Sequence, residues 1–226
     1  MRLIKKLLLG GALATLLVSP FAVSTVSAAD QIYLAGLVYR TGPYAPNGIP
    51  FANGFKDYVE LINQRDGGVN GVPVVYEECE TGYNTKVGVE CYEKIKGNNP
   101  AVIVPNSTGI TYQLIPKVVQ DKIPLVTMGY GRTSGAVGSI FPWYFNFPTT
   151  YWSQATAIIR YIGAQEGGMD KLKGKKIAHV YHNSAYGKEA NPTLQVLAEK
   201  FGYDLTLLAV DPVSYTHLTL PTNREV

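Results

Sequence analysis

The segment Asn106-Ser107-Thr108-Gly109 places an amide, two hydroxyls and a glycine directly after the apolar run Ala101-Val102-Ile103-Val104-Pro105. Where a strand gives way to a helix, such residues accept hydrogen bonds from the helix's leading N–H groups and cap it. The same N–H groups would equally hold a ligand carboxylate. Two further stretches share this chemistry: "YRTGPYAPNG" (Tyr39 to Gly48), which contains Tyr44, and "TMGYGRTSG" (Thr127 to Gly135), which contains Gly129, Tyr130 and Gly131. All three are rich in Gly, Pro, hydroxyl groups and Tyr, and almost free of acids. Donors set among aromatic walls suit a small anionic or zwitterionic molecule with an apolar body. They supply no general acid or base.

Other constellations fit their chemistry less well. "GYGRTSG" resembles a dinucleotide fingerprint, but its third glycine comes one residue late and no clear helix follows to receive a phosphate. His179 and His182 suggest a metal, yet on a strand they point to opposite faces and no carboxylate completes a ligand set. Neither a G-x-S-x-G elbow nor an H-E-x-x-H helix is present. The expectation is therefore no catalytic group, no metal and no cofactor.

The residues in question must be held by the elements around them. Apolar runs alternate with amphipathic ones: strands over Ile32 to Tyr39, Val72 to Glu77, Ala101 to Val104 and Ile123 to Met128 alternate with helices over Phe51 to Gln64, Lys86 to Lys96 and Tyr112 to Gln120. After "FPWYFNFPTTYW" (Phe141 to Trp152), read as a crossing point, the pattern restarts. It gives a helix over Gln154 to Gln165, a strand over Lys176 to Tyr181, a helix over Lys188 to Phe201 broken early by Pro192, and a strand over Leu205 to Val210. Strand–helix alternation implies an α/β fold with mainly parallel sheets covered on both faces. Ligands then sit beyond the carboxyl ends of the strands, where the three polar loops lie.

The first 29 residues have another purpose. A basic start (Arg2, Lys5, Lys6), an apolar stretch from Leu7 to Val18 and the small residues Val26-Ser27-Ala28-Ala29 read as a cleaved secretory signal, too short in its apolar part to span a bilayer. The mature chain is expected outside the cytoplasmic membrane. Removing those three cations from the 20 basic residues leaves 17, equal to the 17 acids. No basic field remains to bind a phosphate backbone, which excludes nucleic acid as a partner. In an oxidising compartment Cys79 and Cys91 are expected to form a disulfide, free thiols or a metal pair being the alternatives.

Four segments resemble the type I periplasmic solute-binding proteins of the branched-chain amino acid class, which feed ABC importers. They are "LAGLVYRTGPYAPNGIPFANGFKDYVELINQRDGGVNGVPVVYEECETGYNT", "VIVPNSTGITYQLIP", "IPLVTMGYG" and "KKIAHVYHNSAYGKEA", and they run in family order from about residue 31 to about residue 211. The resemblance implies two doubly wound lobes closing on a ligand, with an inner-membrane permease as partner and a monomeric state. It implies that Ser107 and Thr108 hold a ligand carboxylate, that Gly129, Tyr130 and Gly131 lie alongside and let the backbone approach, and that Tyr186 covers the ligand. Tyr44 joins them among the aromatics around the cleft, with Tyr39, Tyr130 and Tyr151. The chain departs from the commonest pattern at Gly131, where a hydroxyl residue is usual, and near Asn47, where a bulky aromatic is usual. The ligand class therefore stays open among aliphatic amino acids, amides and aromatic carboxylates.

The expected division is a signal peptide at 1–29, a first lobe at 30–147, an incomplete second lobe at 148–212 and a tail at 213–226. The tail, "VSYTHLTLPTNREV", carries no turn, cap or amphipathic period and reads as foreign material. The main expectation is a transport-linked binding protein. A ligand-sensing receptor module would use the same fold. A secreted hydrolase would need a nucleophile and base, and Ser107 has no histidine in any nearby motif.

Overall fold

The computed structural model describes residues 31–211; the signal segment and the tail lie outside the described residues. Five strands form one parallel sheet: β1 (Ile32–Val38), β2 (Val74–Glu80), β3 (Val102–Pro105), β4 (Leu125–Met128) and β5 (Tyr144–Phe147). Their order is β2-β1-β3-β4-β5, the doubly wound arrangement in which the chain reverses its direction of travel between β1 and β3. Crossover helices α1 (Ala45–Asp66), α2 (Thr85–Ile95) and α3 (Thr108–Asp121) link the first four strands. Because helices cover the sheet, the inner strands are apolar on both faces: Ala35, Leu37, Ile103 and Leu125 are buried on one, Val38 and Val104 on the other. The first four meet Tyr92, Ile95, Ile110 and Leu114 of α2 and α3 in one core.

A second, two-stranded parallel sheet pairs β6 (Lys176–His182) with β7 (Asp204–Val210). With α4 (Tyr151–Gln165), α5 (Ala185–Lys188) and α6 (Asn191–Phe201) it builds a separate core on Ala155, Ile159, Leu172, Leu194 and Tyr203. Cys79 at the end of β2 and Cys91 on α2 form a disulfide with Cα atoms 5.8 Å apart.

Several boundaries differ from those the pattern suggested, and four of the departures have a clear local reason. α1 starts at Ala45 rather than Phe51, since Pro46 falls in the first turn, where its missing N–H costs nothing. α3 starts at Thr108 rather than Tyr112, directly off its Ser107 cap. The expected crossing segment contains β5, a short edge strand whose flanking Pro142 and Pro148 read as breakers. The helix expected over Lys188 to Phe201 with an early break at Pro192 is α6 from Asn191, preceded by the short α5; Pro192 lies in the first turn of α6 and does not break it.

Gly48 shows how tightly α1 lies on the end of β1: a Cβ there would stand 1.9 Å from the backbone oxygen of Tyr39. Gly48→Ala should therefore push the first turn of α1 outward and cost about 1–3 kcal/mol in urea unfolding, the usual penalty of overpacking. An unchanged unfolding midpoint would show that this contact relaxes freely.

Candidate functional site

The loops that leave the carboxyl ends of β1, β2, β3, β4 and β6, together with the start of α4, converge on a cavity of about 300 Å³. Tyr39 and Tyr44 follow β1, Tyr83 follows β2, Asn106, Ser107 and Thr108 follow β3, and Tyr130 follows β4. From the second unit come Tyr151 at the head of α4, His182 at the end of β6, and Tyr186 on α5. This is the crevice that a doubly wound sheet leaves at its switch point, since β1 and β3 part company there.

The polar wall is built on the N-terminus of α3. Ser107 is extended (φ −153°, ψ 133°), and its Oγ accepts the Ile110 N–H at 3.4 Å. The N–H groups of Thr108 and Gly109 head the helix, where intrahelical acceptors do not exist, and they carry the positive end of its dipole. Thr108 Oγ1 accepts the Gly131 N–H at 3.2 Å and lies 3.4 Å from the Tyr151 hydroxyl. When the Tyr151 hydroxyl is the donor of that pair, the Thr108 hydroxyl proton is left to donate elsewhere. Tyr130 donates its hydroxyl to Asn106 Oδ1 at 3.4 Å.

The remaining walls are aromatic. Tyr83 meets Tyr39 edge-on with centroids 4.9 Å apart and Tyr44 at 4.7 Å, while Tyr151 lies 5.6 Å from Tyr186. Burial raises the phenol pKa of Tyr83 to about 12 and pushes those of Tyr130 and Tyr151 well above the usual tyrosine range, so these hydroxyls stay neutral at physiological pH. Tyr44 hydrogen-bonds through its hydroxyl to His182 Nε2, and His182 Nδ1 lies 2.6 Å from Ser184 Oγ. Among the described residues no Asp, Glu, Lys or Arg lines the cavity.

Of the residues singled out from the sequence, Ser107, Thr108, Tyr130, Tyr44 and Tyr186 line this cavity, whereas Gly129 and Gly131 are not among its lining residues. Both glycines have positive φ, 74° and 98°. A Cβ on Gly131 would meet the Tyr144 hydroxyl at 2.5 Å, and the Gly129 carbonyl accepts from Gln154 Nε2 at 2.8 Å. Their backbone also makes supporting contacts, the Gly131 N–H to Thr108 Oγ1 and the Gly129 N–H to Asn146 Oδ1.

Tyr83, Phe51 and His182 line the cavity without having been singled out. "ETGYNT" does follow a strand, which was the available signal for Tyr83, but it reads first as the span between two cysteines. His182 was visible only as half of a metal pair.

The chain matches the family described as periplasmic binding protein over residues 31–219, a span that passes Val213, where the sequence pattern was expected to end. No curated protein matches it. A crystal structure named as an ABC transporter permease from the Pseudomonas fluorescens group is 44% identical, with TM-score 0.72, covering 81% of this chain and 45% of that one. A branched-chain amino acid ABC transporter from Thermus thermophilus with bound valine is 22% identical, with TM-score 0.65 over 80% of this chain and 45% of its own. A solute-binding protein of an ABC transporter from Rhodopseudomonas palustris BisB5, in complex with 3,4-dihydroxybenzoic acid, is 19% identical, with TM-score 0.63 over 80% and 47%. The last two likenesses concern the fold alone, and the chain spans a little under half the length of each of the three.

Proposed function

The chain belongs to the periplasmic binding protein family, and on that premise we propose that it is the solute-binding component of an ABC importer, taking a small carboxylate in the cavity between its two units. The observation that carries this reading is the wall itself: the α3 N-terminus with Ser107 and Thr108 faces a cavity lined otherwise by tyrosines, without a fixed charge among the described residues. An anion is held there by N–H and hydroxyl dipoles, which need not be neutralised when the site is empty. The protein acts outside the cytoplasmic membrane as a monomer and hands its ligand unaltered to a membrane permease.

Within the carboxylates, an aromatic acid fits better than an aliphatic amino acid. Tyr39, Tyr44, Tyr83, Tyr151 and Tyr186 offer ring faces and edges, while no lining carboxylate among the described residues would pair with an ammonium. The valine and 3,4-dihydroxybenzoate found in similar structures are the natural pair of probes. His182 and Ser184 are within hydrogen-bond distance, but the other ring nitrogen faces Tyr44 and not a carboxylate, so the pair lacks the orienting group of a hydrolytic triad.

Thermal unfolding in the presence of valine, aliphatic amides and aromatic acids tests the reading, because a ligand bound by the native state raises its melting temperature. Aromatic acids should give the largest upward shift; no shift with any carboxylate would sink the proposal. Thr108→Val should weaken carboxylate binding by at least about tenfold, the value of a hydrogen bond to a charged group. Thr108→Ser, which keeps the hydroxyl, should bind nearly as well as the parent. Equal affinity in the valine variant would confine Thr108 to its supporting bonds with Gly131 and Tyr151.

A further inference from the structure

His182 is the one residue lining the cavity, among those described, whose side chain can gain a positive charge in the neutral pH range. It ends β6, and its ring is fixed at both nitrogens, Nδ1 against Ser184 Oγ at 2.6 Å and Nε2 against the Tyr44 hydroxyl. The Tyr44 and Tyr186 rings flank it with centroids 5.2 and 6.1 Å away. The titratable groups facing it are therefore phenols: Tyr44 from the head of α1, Tyr83 from the loop after β2, Tyr151 from α4 and Tyr186 from α5. On its own strand His179 and Tyr181 stack on each other. Of the nearby charged groups, Asp211 accepts from the Asn183 amide at 2.8 Å, Glu189 accepts the Thr133 N–H at 2.7 Å, and Lys188 is exposed and lines neither this cavity nor the one beside it.

From this arrangement we infer that His182 matches the charge of the bound anion, taking up a proton from solvent as the carboxylate enters. This rests on the reading of the cavity as a carboxylate site. With its one proton on Nδ1, the neutral ring accepts a hydrogen bond from the Tyr44 hydroxyl at Nε2. Once the ring is protonated, Nδ1–H donates to Ser184 and Nε2–H to the Tyr44 oxygen, and the Tyr44 hydroxyl turns its own proton to the ligand. Tyr44 thereby changes from a donor to histidine into a donor to the anion, with one proton added and none lost. Burial holds the empty-site ring below its ordinary range, and a carboxylate sharing a cavity without other charges favours the protonated form.

The sign follows from linkage. The bound state holds one more proton than the free state wherever the pH lies between the free and bound pKa values, so affinity rises as the pH falls through that window. The slope there approaches tenfold per pH unit, and affinity levels off below the free value.

Isothermal titration calorimetry of the full chain with 3,4-dihydroxybenzoate and with valine, from about pH 5 to 8 in buffers of different ionisation enthalpy, counts the protons directly. Uptake approaching one proton is expected, with affinity weakening toward high pH. The His182→Gln variant, which keeps a polar side chain but cannot charge, should bind without proton uptake and without the slope. Binding by the parent chain with no proton uptake, or an equal slope in His182→Gln, overturns the inference while leaving the carboxylate site standing. Failure of these two acids and of every other carboxylate in the thermal screen to bind at any pH overturns the two together.

Discussion

Leu114→Ala should lower the stability of the protein by about 2–5 kcal/mol, the range for deleting a large apolar side chain where the cavity cannot collapse. Leu114 lies on the inner face of α3 with no exposed surface, in the same core as Ile110, Ile115 and Val118 of that helix and Ile103 of β3. Parallel strands hold the other side of the core, so little backbone is free to move into the gap. The consequence reaches the site, because the same helix presents Ser107 and Thr108 at its head. Urea unfolding gives the loss of stability, and carboxylate affinity measured well below the unfolding midpoint should weaken alongside it. Val119→Ala is the control: Val119 is 39% exposed on the same helix, and its loss should stay within about 0.5 kcal/mol. A Leu114→Ala loss no larger than that of Val119→Ala would mean that α3 is not anchored by its apolar face.

Opening the Cys79–Cys91 disulfide should cost about 3 kcal/mol, the chain-entropy value for so short a loop. The two cysteines are 12 residues apart, and Cys91 is buried in the first core. The bridge also closes the segment that carries Tyr83, which sits in the left-handed region at φ 63° and lends its ring to the cavity. Reduction should therefore lower both the unfolding midpoint and the affinity for an aromatic acid, and the double variant Cys79→Ser/Cys91→Ser should reproduce both effects. Alkylation under native, unreduced conditions should leave the thiols unlabelled. Two freely labelled cysteines, or reduction without loss of stability, would remove the bridge from this account.

The cavity brings together groups that act on one another only because of the fold. Tyr44 and His182 are 138 residues apart in sequence, and Thr133 and Glu189 are 56 apart; both pairs tie the first unit to the second. Burial raises the Glu189 carboxyl above its usual range, with the Thr133 N–H opposing it. The Tyr44–His182 contact lies in the cavity wall, and it explains why a histidine read as half of a metal pair lines the cavity instead.

Several features were legible in the sequence because they depend on local periodicity and local chemistry. The apolar run from Ala101 to Val104 followed by Ser107 specifies a buried strand and a capped helix wherever it is placed, and the alternation of such units specifies a parallel α/β sheet. Parallel order also dictates that Ser107, Thr108 and Tyr130 emerge at one edge of that sheet, so part of the site could be named from the loops that follow strands. Local signals failed where a residue type has two meanings. Pro192 reads as a break and Pro142 and Pro148 as part of a crossing point, yet they occupy a first helical turn and the ends of a strand, which tolerate a missing N–H. Gly129 and Gly131 have positive φ, and their close neighbours include Gln154 and Tyr144, which the sequence alone did not indicate. Only the tertiary structure decided which aromatic rings face the cavity and which pack elsewhere, because that depends on how the second unit meets the first. It alone set the environment of His182. The charge a histidine carries follows from burial and neighbours, and its neighbours here come from distant parts of the chain.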